Sequence, residues 1–168
     1  LALVAVALSS RRYDGRVTDA DHTWTARLGA AAGGSYVLLL LGAYVHNRYF
    51  SGWPLVSNNL VPDLSDRYTV VHWLHRAVAG AGFFYLGWLM AAARRVGRPA
   101  GEQSLLRLAT VAYALNVGLG AVHVLTKVTS SAVITAHLLA SAVVWTALVA
   151  VTALSRTGVA VPSGRMEP

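Results

Sequence analysis

The sequence predicts an all-α membrane protein, a polytopic four-helix bundle. Of its 168 residues, 55% are hydrophobic and only 12% are charged, and the mean hydropathy is +0.51. This composition lies outside the usual range of soluble domains. Because the hydrophobicity recurs along the whole chain, a single N-terminal signal peptide does not explain it.

Four apolar runs are long enough to cross a bilayer, which takes about 20 residues. They cover about residues 28–46, 68–93, 104–125 and 131–154. We therefore expect residues 28–154 to form one four-span domain and residues 155–168 to form a cytoplasmic tail. Residues 1–27 are expected to contain a cytoplasmic loop and, from Leu1, the end of a preceding helix in a longer protein.

The basic residues concentrate on one side of the predicted spans. Arginines dominate the segments before span one, between spans two and three, and after span four, whereas the opposite side has Arg48, Arg67 and Lys127. Since cytoplasmic loops carry an excess of Lys and Arg, we expect a multi-pass protein of the cell membrane with both ends of the four-span unit in the cytoplasm. Contact with lipid, rather than with nucleic acid, then accounts for the net charge of +7.

Histidines gather at the other, outer ends of the spans. His75 and His137 each lie about six or seven residues inside spans two and four, which run in the same direction. At about 1.5 Å per residue they reach the same depth, as two axial ligands of one heme iron must. The chain has no cysteine, which excludes covalent heme attachment through Cys-x-x-Cys-His. We therefore predict that His75 and His137 are the ligands of a heme iron.

The residues beside this pair suggest further contacts. Arg76 is a candidate partner for a heme propionate, because guanidinium groups bind carboxylates through two hydrogen bonds. His72 fits three roles equally well: support of a ligand, contact with a substrate, or an ordinary interfacial histidine. For His46 and His123, a role in the pocket and no specific role are about equally expected. His22 is expected in a solvated loop.

A short internal repeat pairs the spans as two plus two. Leu41-Gly42-Ala43 lies near the end of span one, and the same tripeptide recurs from Leu119 to Ala121 near the end of span three. Each copy precedes a span with a histidine near its start. The equivalent placement predicts two similar helix pairs.

Several motifs together resemble the heme A synthase family of cytochrome oxidase assembly proteins. They are Leu41-Gly42-Ala43-Tyr44-Val45, Gly52-Trp53-Pro54-Leu55, Leu60-Val61-Pro62, His72-Trp73-Leu74-His75-Arg76 and Ala136-His137-Leu138-Leu139-Ala140. The resemblance covers about residues 28–154. It implies a heme A synthase-like half of an eight-helix protein in which each half has two ligand histidines.

The resemblance also implies a function. Such enzymes oxidise the C8 methyl of heme O to the formyl of heme A, with heme b in the C-terminal half and the substrate heme in the N-terminal half. His75 and His137 match one axial pair, so the chain is expected to be the C-terminal, heme b half, or a compact four-helix member that forms a homodimer. Its expected partners are the missing N-terminal half or a second copy, heme O synthase and an electron donor.

Two departures from the family pattern bear on catalysis. The catalytic half has a glutamate three residues before its first ligand, where this chain has His72, and the sequence suggests no carboxylate in any span. Many members have a cysteine pair in the outer loop, which this chain lacks. An electron-carrying heme domain is therefore expected. The alternatives are a non-enzymatic b-type cytochrome subunit that passes electrons from quinol to a partner, and a structural module whose histidines bind nothing or copper.

Overall fold

A computed structural model describes residues 19–45, 48–127 and 129–156 of the chain. These residues form four helices: α1 (Asp19–Val45), α2 (Arg67–Arg95), α3 (Ala100–Leu125) and α4 (Ser131–Arg156). Each contains a segment long and apolar enough to cross a membrane. The prediction of an all-α fold is therefore confirmed, and its four helices are compatible with a multi-pass membrane protein.

The helices form a closed ring in chain order. Contacts join α1 to α2, α2 to α3, α3 to α4, and α4 back to α1, whereas the diagonal pairs within the described residues, α1 with α3 and α2 with α4, have no comparable backbone contact. Because successive helices alternate in direction, α1 and α3 end where α2 and α4 begin. We call this the histidine end, and the opposite end the packed end.

Two helices begin earlier than the sequence indicated. Helix α1 starts at Asp19 and not near Leu28, because Trp24, Leu28 and Ala31 follow one helical face and are all buried in the bundle. His22 is consequently an exposed helical residue and not part of a loop. The expected helix near Leu1, the tail from residue 157 and His46 lie outside the described residues.

Helix α3 starts at Ala100, four residues before the predicted span. This adds Glu102 to the helix, so the expectation that no span contains a carboxylate is wrong. Glu102 is only 2% exposed, and its carboxylate accepts hydrogen bonds from Trp24 Nε1 at 2.8 Å and from Arg98 at 3.0 Å. These partners offset the cost of removing the charge from water.

The turns at the helix ends follow from local chemistry. Gly97 adopts a left-handed φ of 66° after α2, and the N–H of Arg98 donates to the carbonyl of Ala93 at 2.9 Å, which closes the helix. At the start of α2, the carboxylate of Asp66 accepts a hydrogen bond from Thr69 N at 3.0 Å. This bond from the Thr69 backbone lowers the pKa of Asp66 below its ordinary value.

The packed end holds the hydrophobic core. The side chains that are almost completely buried come from all four helices. They are Leu28, Leu89, Ala93, Leu106, Ala109, Val144, Leu148 and Val151. The outward surface carries large apolar side chains such as Leu40, Phe84 and Leu115, as expected for helices that face lipid.

Candidate functional site

A cavity of about 510 Å³ occupies the histidine end of the bundle. This volume lies within the range of about 300–1,000 Å³ that is typical of small-molecule and cofactor sites. All four helices and the α1–α2 loop contribute to its wall, which is mainly apolar. The wall also contains four histidines: His72, His75, His123 and His137. The cavity therefore contains both residues that the sequence predicted as ligands.

The imidazole rings of His75 and His137 each lie against a glycine of the neighbouring helix. A β-carbon built at Gly42 would lie 3.3 Å from Cε1 of His75, and one built at Gly120 would lie 3.7 Å from Cε1 of His137. Gly42 and Gly120 are the matching glycines of the sequence repeat. In each helix pair, the glycine of the first helix thus provides space for the histidine of the second.

The four cavity histidines share an unusual feature. In each ring Nδ1 is buried and has no hydrogen-bond partner among the residues that the structure describes. Buried polar atoms are almost always hydrogen-bonded, so an unpartnered one calls for an explanation. Imidazole nitrogen is the commonest metal ligand in proteins, and the donor chemistry, the apolar wall and the cavity volume all fit a heme.

A polar connection supports the His137 side of the cavity. Asn116 of α3 donates from Nδ2 to Oγ of Ser141 at 2.8 Å, and that hydroxyl donates to the carbonyl of His137, also at 2.8 Å. The ring of His123 lies nearly parallel to that of His137, with 5.9 Å between centroids and 10° between planes. These contacts fix α3 against α4 one turn from His137. His123 therefore occupies the pocket position that the sequence left open.

Arg76 has a different environment from the one expected of a propionate partner. Its guanidinium donates from Nε to Nε2 of His72 at 2.9 Å, from Nη1 to the carbonyls of Gly52 and Leu55, and from Nη2 to the carbonyl of Phe50 at 3.2 Å. A guanidinium has five N–H groups, so at most one remains. Arg76 therefore holds the loop and lacks the two parallel donors that bidentate carboxylate binding requires.

The loop of residues 48–66 covers the mouth of the cavity. Phe50 stacks on His72 with 4.3 Å between ring centroids, and Trp53 and Pro54 join the wall. Trp73 donates from Nε1 to the carbonyl of Leu60 at 2.8 Å, which ties a second part of the loop to α2. His72 thus contacts both Arg76 and the loop, in keeping with a supporting role.

No acidic side chain lies among the described residues that line the cavity, whereas two arginines, Arg48 and Arg76, do. Glu102 lies at the packed end, 21 residues before His123 on the same helix, or about 30 Å away at 1.5 Å per residue. The carboxylate that the sequence missed is therefore remote from the histidines. The cavity combines an apolar body with a cationic mouth.

Sequence reasoning missed several residues of the site. The repeat identifies Gly42 and Gly120 but does not explain why glycine occupies these positions. The contacts with the imidazole rings of His75 and His137 explain it. Asn116 gives no signal beyond being a polar residue in an apolar span, and Arg48 resembles any loop charge. Within the described ranges, no group of three or more His, Cys, Asp and Glu side chains is arranged to hold a metal ion.

Comparison of the chain with protein-family models, with curated proteins and with solved structures gives no match.

Proposed function

We propose that this chain is a membrane-embedded b-type heme domain with His75 and His137 as the axial ligands. One observation carries the proposal: two diagonal helices without close backbone contact direct histidines into a single cavity, where each ring lies against a glycine and has an unpartnered Nδ1. A planar ligand between diagonal helices would contact both rings. Each imidazole already interacts with a backbone group, of Leu38 for His75 and of Asn116 for His137, and the ligand would add a partner for an unpaired ring nitrogen.

The surrounding residues have defined tasks in this proposal. Gly42 and Gly120 leave room for the two rings, and Asn116 and Ser141 hold α3 and α4 in register. The loop fixed by Arg76 covers the mouth and keeps water from the ligand nitrogens. A heme, when bound, supplies a one-electron couple between ferrous and ferric iron. Apolar surroundings and restricted solvent access are the means by which the protein tunes that couple.

The wider role we propose is heme A synthesis for cytochrome oxidase assembly. It rests on two points. The motifs around Gly42, Trp53, His75 and His137 resemble those of heme A synthase, and these four residues all line one cavity. The chain would be the heme b half of an oxidoreductase that converts heme O to heme A, completed by an N-terminal half or by a second copy. Heme O synthase and an electron donor would be its functional partners.

The proposed orientation places the histidine end outside the cell membrane and both ends of the four-helix unit in the cytoplasm. The basic residues support it, because Arg94, Arg95 and Arg156 lie at the packed end and cytoplasmic segments are enriched in such residues. The loop of residues 48–66 would then face the outer compartment.

A second candidate function is a b-type cytochrome subunit without enzymatic activity. The described wall of the cavity has no carboxylate, and His72 occupies the position at which the related catalytic halves have glutamate. Without a carboxylate, the described wall offers histidines and the tyrosines Tyr49 and Tyr113 as proton-transfer groups. This feature favours electron transfer by the chain itself, from quinol to a partner protein.

The first experiment is a reduced-minus-oxidised visible spectrum of the purified protein supplied with heme. We expect a sharp low-spin b-type spectrum that is lost in His75→Ala and in His137→Ala, because each removes one axial nitrogen. His22→Ala is the matched control, since His22 is exposed at the packed end, and it should retain the spectrum. Unchanged spectra in both ligand variants, or no heme in any protein, would refute the assignment and leave a copper-binding or structural module.

A second experiment separates the two functions. The chain is supplied with heme O, a reductant and oxygen, alone and together with its companion half or a second copy, and the hemes are extracted and identified by mass. Formation of heme A in the completed assembly supports the synthase. Heme O recovered unchanged, with normal electron transfer to an acceptor, supports the cytochrome.

A further inference from the structure

The mouth of the cavity contains one arginine whose contacts differ from those of Arg76. Arg48 follows the end of α1, where its backbone N–H donates to the carbonyl of Val45 at 2.9 Å, and its side chain lines the cavity and is exposed. Its guanidinium carbon lies 4.3 Å from the ring centroid of Tyr68. The guanidinium also interacts with the Tyr68 hydroxyl, and its remaining N–H groups are available for other acceptors.

Arg48 has no ion pair with a carboxylate among the described residues, although the charge of the Asp66 carboxylate lies near enough to act on it. The ion pair between Arg98 and Glu102 is at the packed end. Arg67 stacks on the same Tyr68 ring, at 4.9 Å. Two arginines therefore share one aromatic ring at the mouth of a cavity whose described wall has no acid. Such a mouth is complementary to an anion.

We infer that Arg48, and not Arg76, binds a carboxylate of the ligand at the mouth of the cavity. This inference rests on the proposed heme function, and the carboxylate is then a heme propionate. Arg76 uses at least four of its five N–H groups in hydrogen bonds to the loop and to His72. The planar guanidinium of Arg48 instead lies on Tyr68 at the edge of the cavity. Arg48 is six positions after Gly42, which contacts His75.

The stacking contact also explains how a long, exposed side chain could be ready for its ligand. An unrestrained arginine loses considerable rotamer freedom when it binds a carboxylate. The Tyr68 ring, itself stacked on Tyr44 with 5.5 Å between centroids, restricts that freedom before the ligand arrives. Arg67 lies on the same ring but does not line the cavity, so it provides a matched control of equal charge.

The test compares two ligands that differ only at the carboxylates: heme b and its propionate dimethyl ester. Both are titrated into the purified protein, and the Soret band gives the two dissociation constants and their ratio. For the unmodified protein we expect the ester to bind roughly tenfold more weakly, which is the size expected for one lost charge-assisted hydrogen bond. In Arg48→Gln the ratio should fall toward one, while ester binding stays nearly unchanged.

Two further variants make the result specific. Arg67→Gln should keep the ratio of the unmodified protein, because Arg67 does not reach the cavity. Arg48→Lys should give a ratio between those of the unmodified protein and Arg48→Gln, since an ammonium cannot donate two parallel hydrogen bonds. Comparing ratios between variants also cancels the different partitioning of the two hemes into detergent.

The outcomes distinguish this inference from the proposal on which it rests. If Arg48→Gln binds heme with an unchanged ratio, Arg48 faces lipid headgroups and the inference is overturned, although the heme site stands. The inference is also overturned if Arg67→Gln lowers the ratio equally, because a general positive field would then be responsible. If the unmodified protein gives no Soret band, both the heme function and the role of Arg48 are refuted.

Discussion

The two ends of the bundle are built in opposite ways. At the packed end, side chains from all four helices fill the space between them, and the buried carboxylate of Glu102 has hydrogen-bond partners. At the histidine end, the same helices leave a cavity of about 510 Å³ and four imidazole nitrogens without partners among the described residues. Stability is therefore concentrated at one end, and the capacity to bind a ligand at the other.

The largest difference between the ends should appear in stability. Leu148 is 1% exposed in the core, so Leu148→Ala should lower the free energy of unfolding by about 2–5 kcal/mol. Leu39 lines the cavity, where an empty space already exists, and Leu39→Ala should cost clearly less. Denaturant titration of the helical circular dichroism in detergent measures both. An equal decrease in the free energy of unfolding for the two variants would contradict the proposed difference between the ends.

An intermediate effect is expected from enlarging the glycines that lie against the two histidines proposed as heme ligands. Gly120→Leu places a bulky side chain against His137, and we expect about a tenfold loss of heme affinity because overpacking of this kind typically costs about 1–3 kcal/mol. Gly118 is two residues away on the same helix, and an added β-carbon there meets nothing within 4 Å. Gly118→Leu should therefore bind heme normally, as measured by Soret titration. A similar loss in both variants would point to damage to the helix instead.

The smallest effect should come from the start of α2. The pKa of Asp66 is lower in the folded protein than its ordinary value of 3.8, mainly through the hydrogen bond from Thr69 N. Its contribution is therefore present above the unfolded pKa and is lost as the pH falls through the folded pKa. Asp66→Asn keeps a capping side chain but has no charge to titrate.

Thermal unfolding at pH 7 and pH 3 should accordingly show a slightly smaller acid sensitivity in Asp66→Asn than in the unmodified protein. Ser65→Ala, which leaves the capping carboxylate in place, is the control. A greater acid sensitivity in Asp66→Asn would contradict the direction of the pKa change.

The helices could be predicted from the sequence because each bilayer crossing requires a long apolar run. Their starts could not, because the first turns of α1 and α3 are polar and depend on contacts between distant residues, above all Trp24 with Glu102. No local pattern reveals that a tryptophan and a glutamate 78 positions apart will satisfy each other. This contact accounts for the buried carboxylate, and the early start of α1 also depends on the burial of Leu28 and Ala31 beside Trp24.

The candidate site, like the helices, could be predicted only in part from the sequence. Equal depth on parallel helices follows from spacing alone, which is why His75 and His137 could be selected, and the cavity includes both. The task of Arg76 depends on the course of the loop, where its hydrogen bonds go to the carbonyls of Gly52, Leu55 and Phe50. Backbone acceptors in an irregular loop leave no trace in residue types. The heme itself stays a prediction.

The contact between Trp24 and Glu102 also sets an order for biogenesis. It joins the first and third helices and needs no residue beyond Glu102, whereas the histidine pair needs residue 137. A chain inserted into the membrane from its N-terminus can therefore form this one contact while α4 is still being synthesised. Both ends are completed only with α4, because the core of the packed end also needs Val144, Leu148 and Val151, so loading of any cofactor would belong to the final stage of assembly.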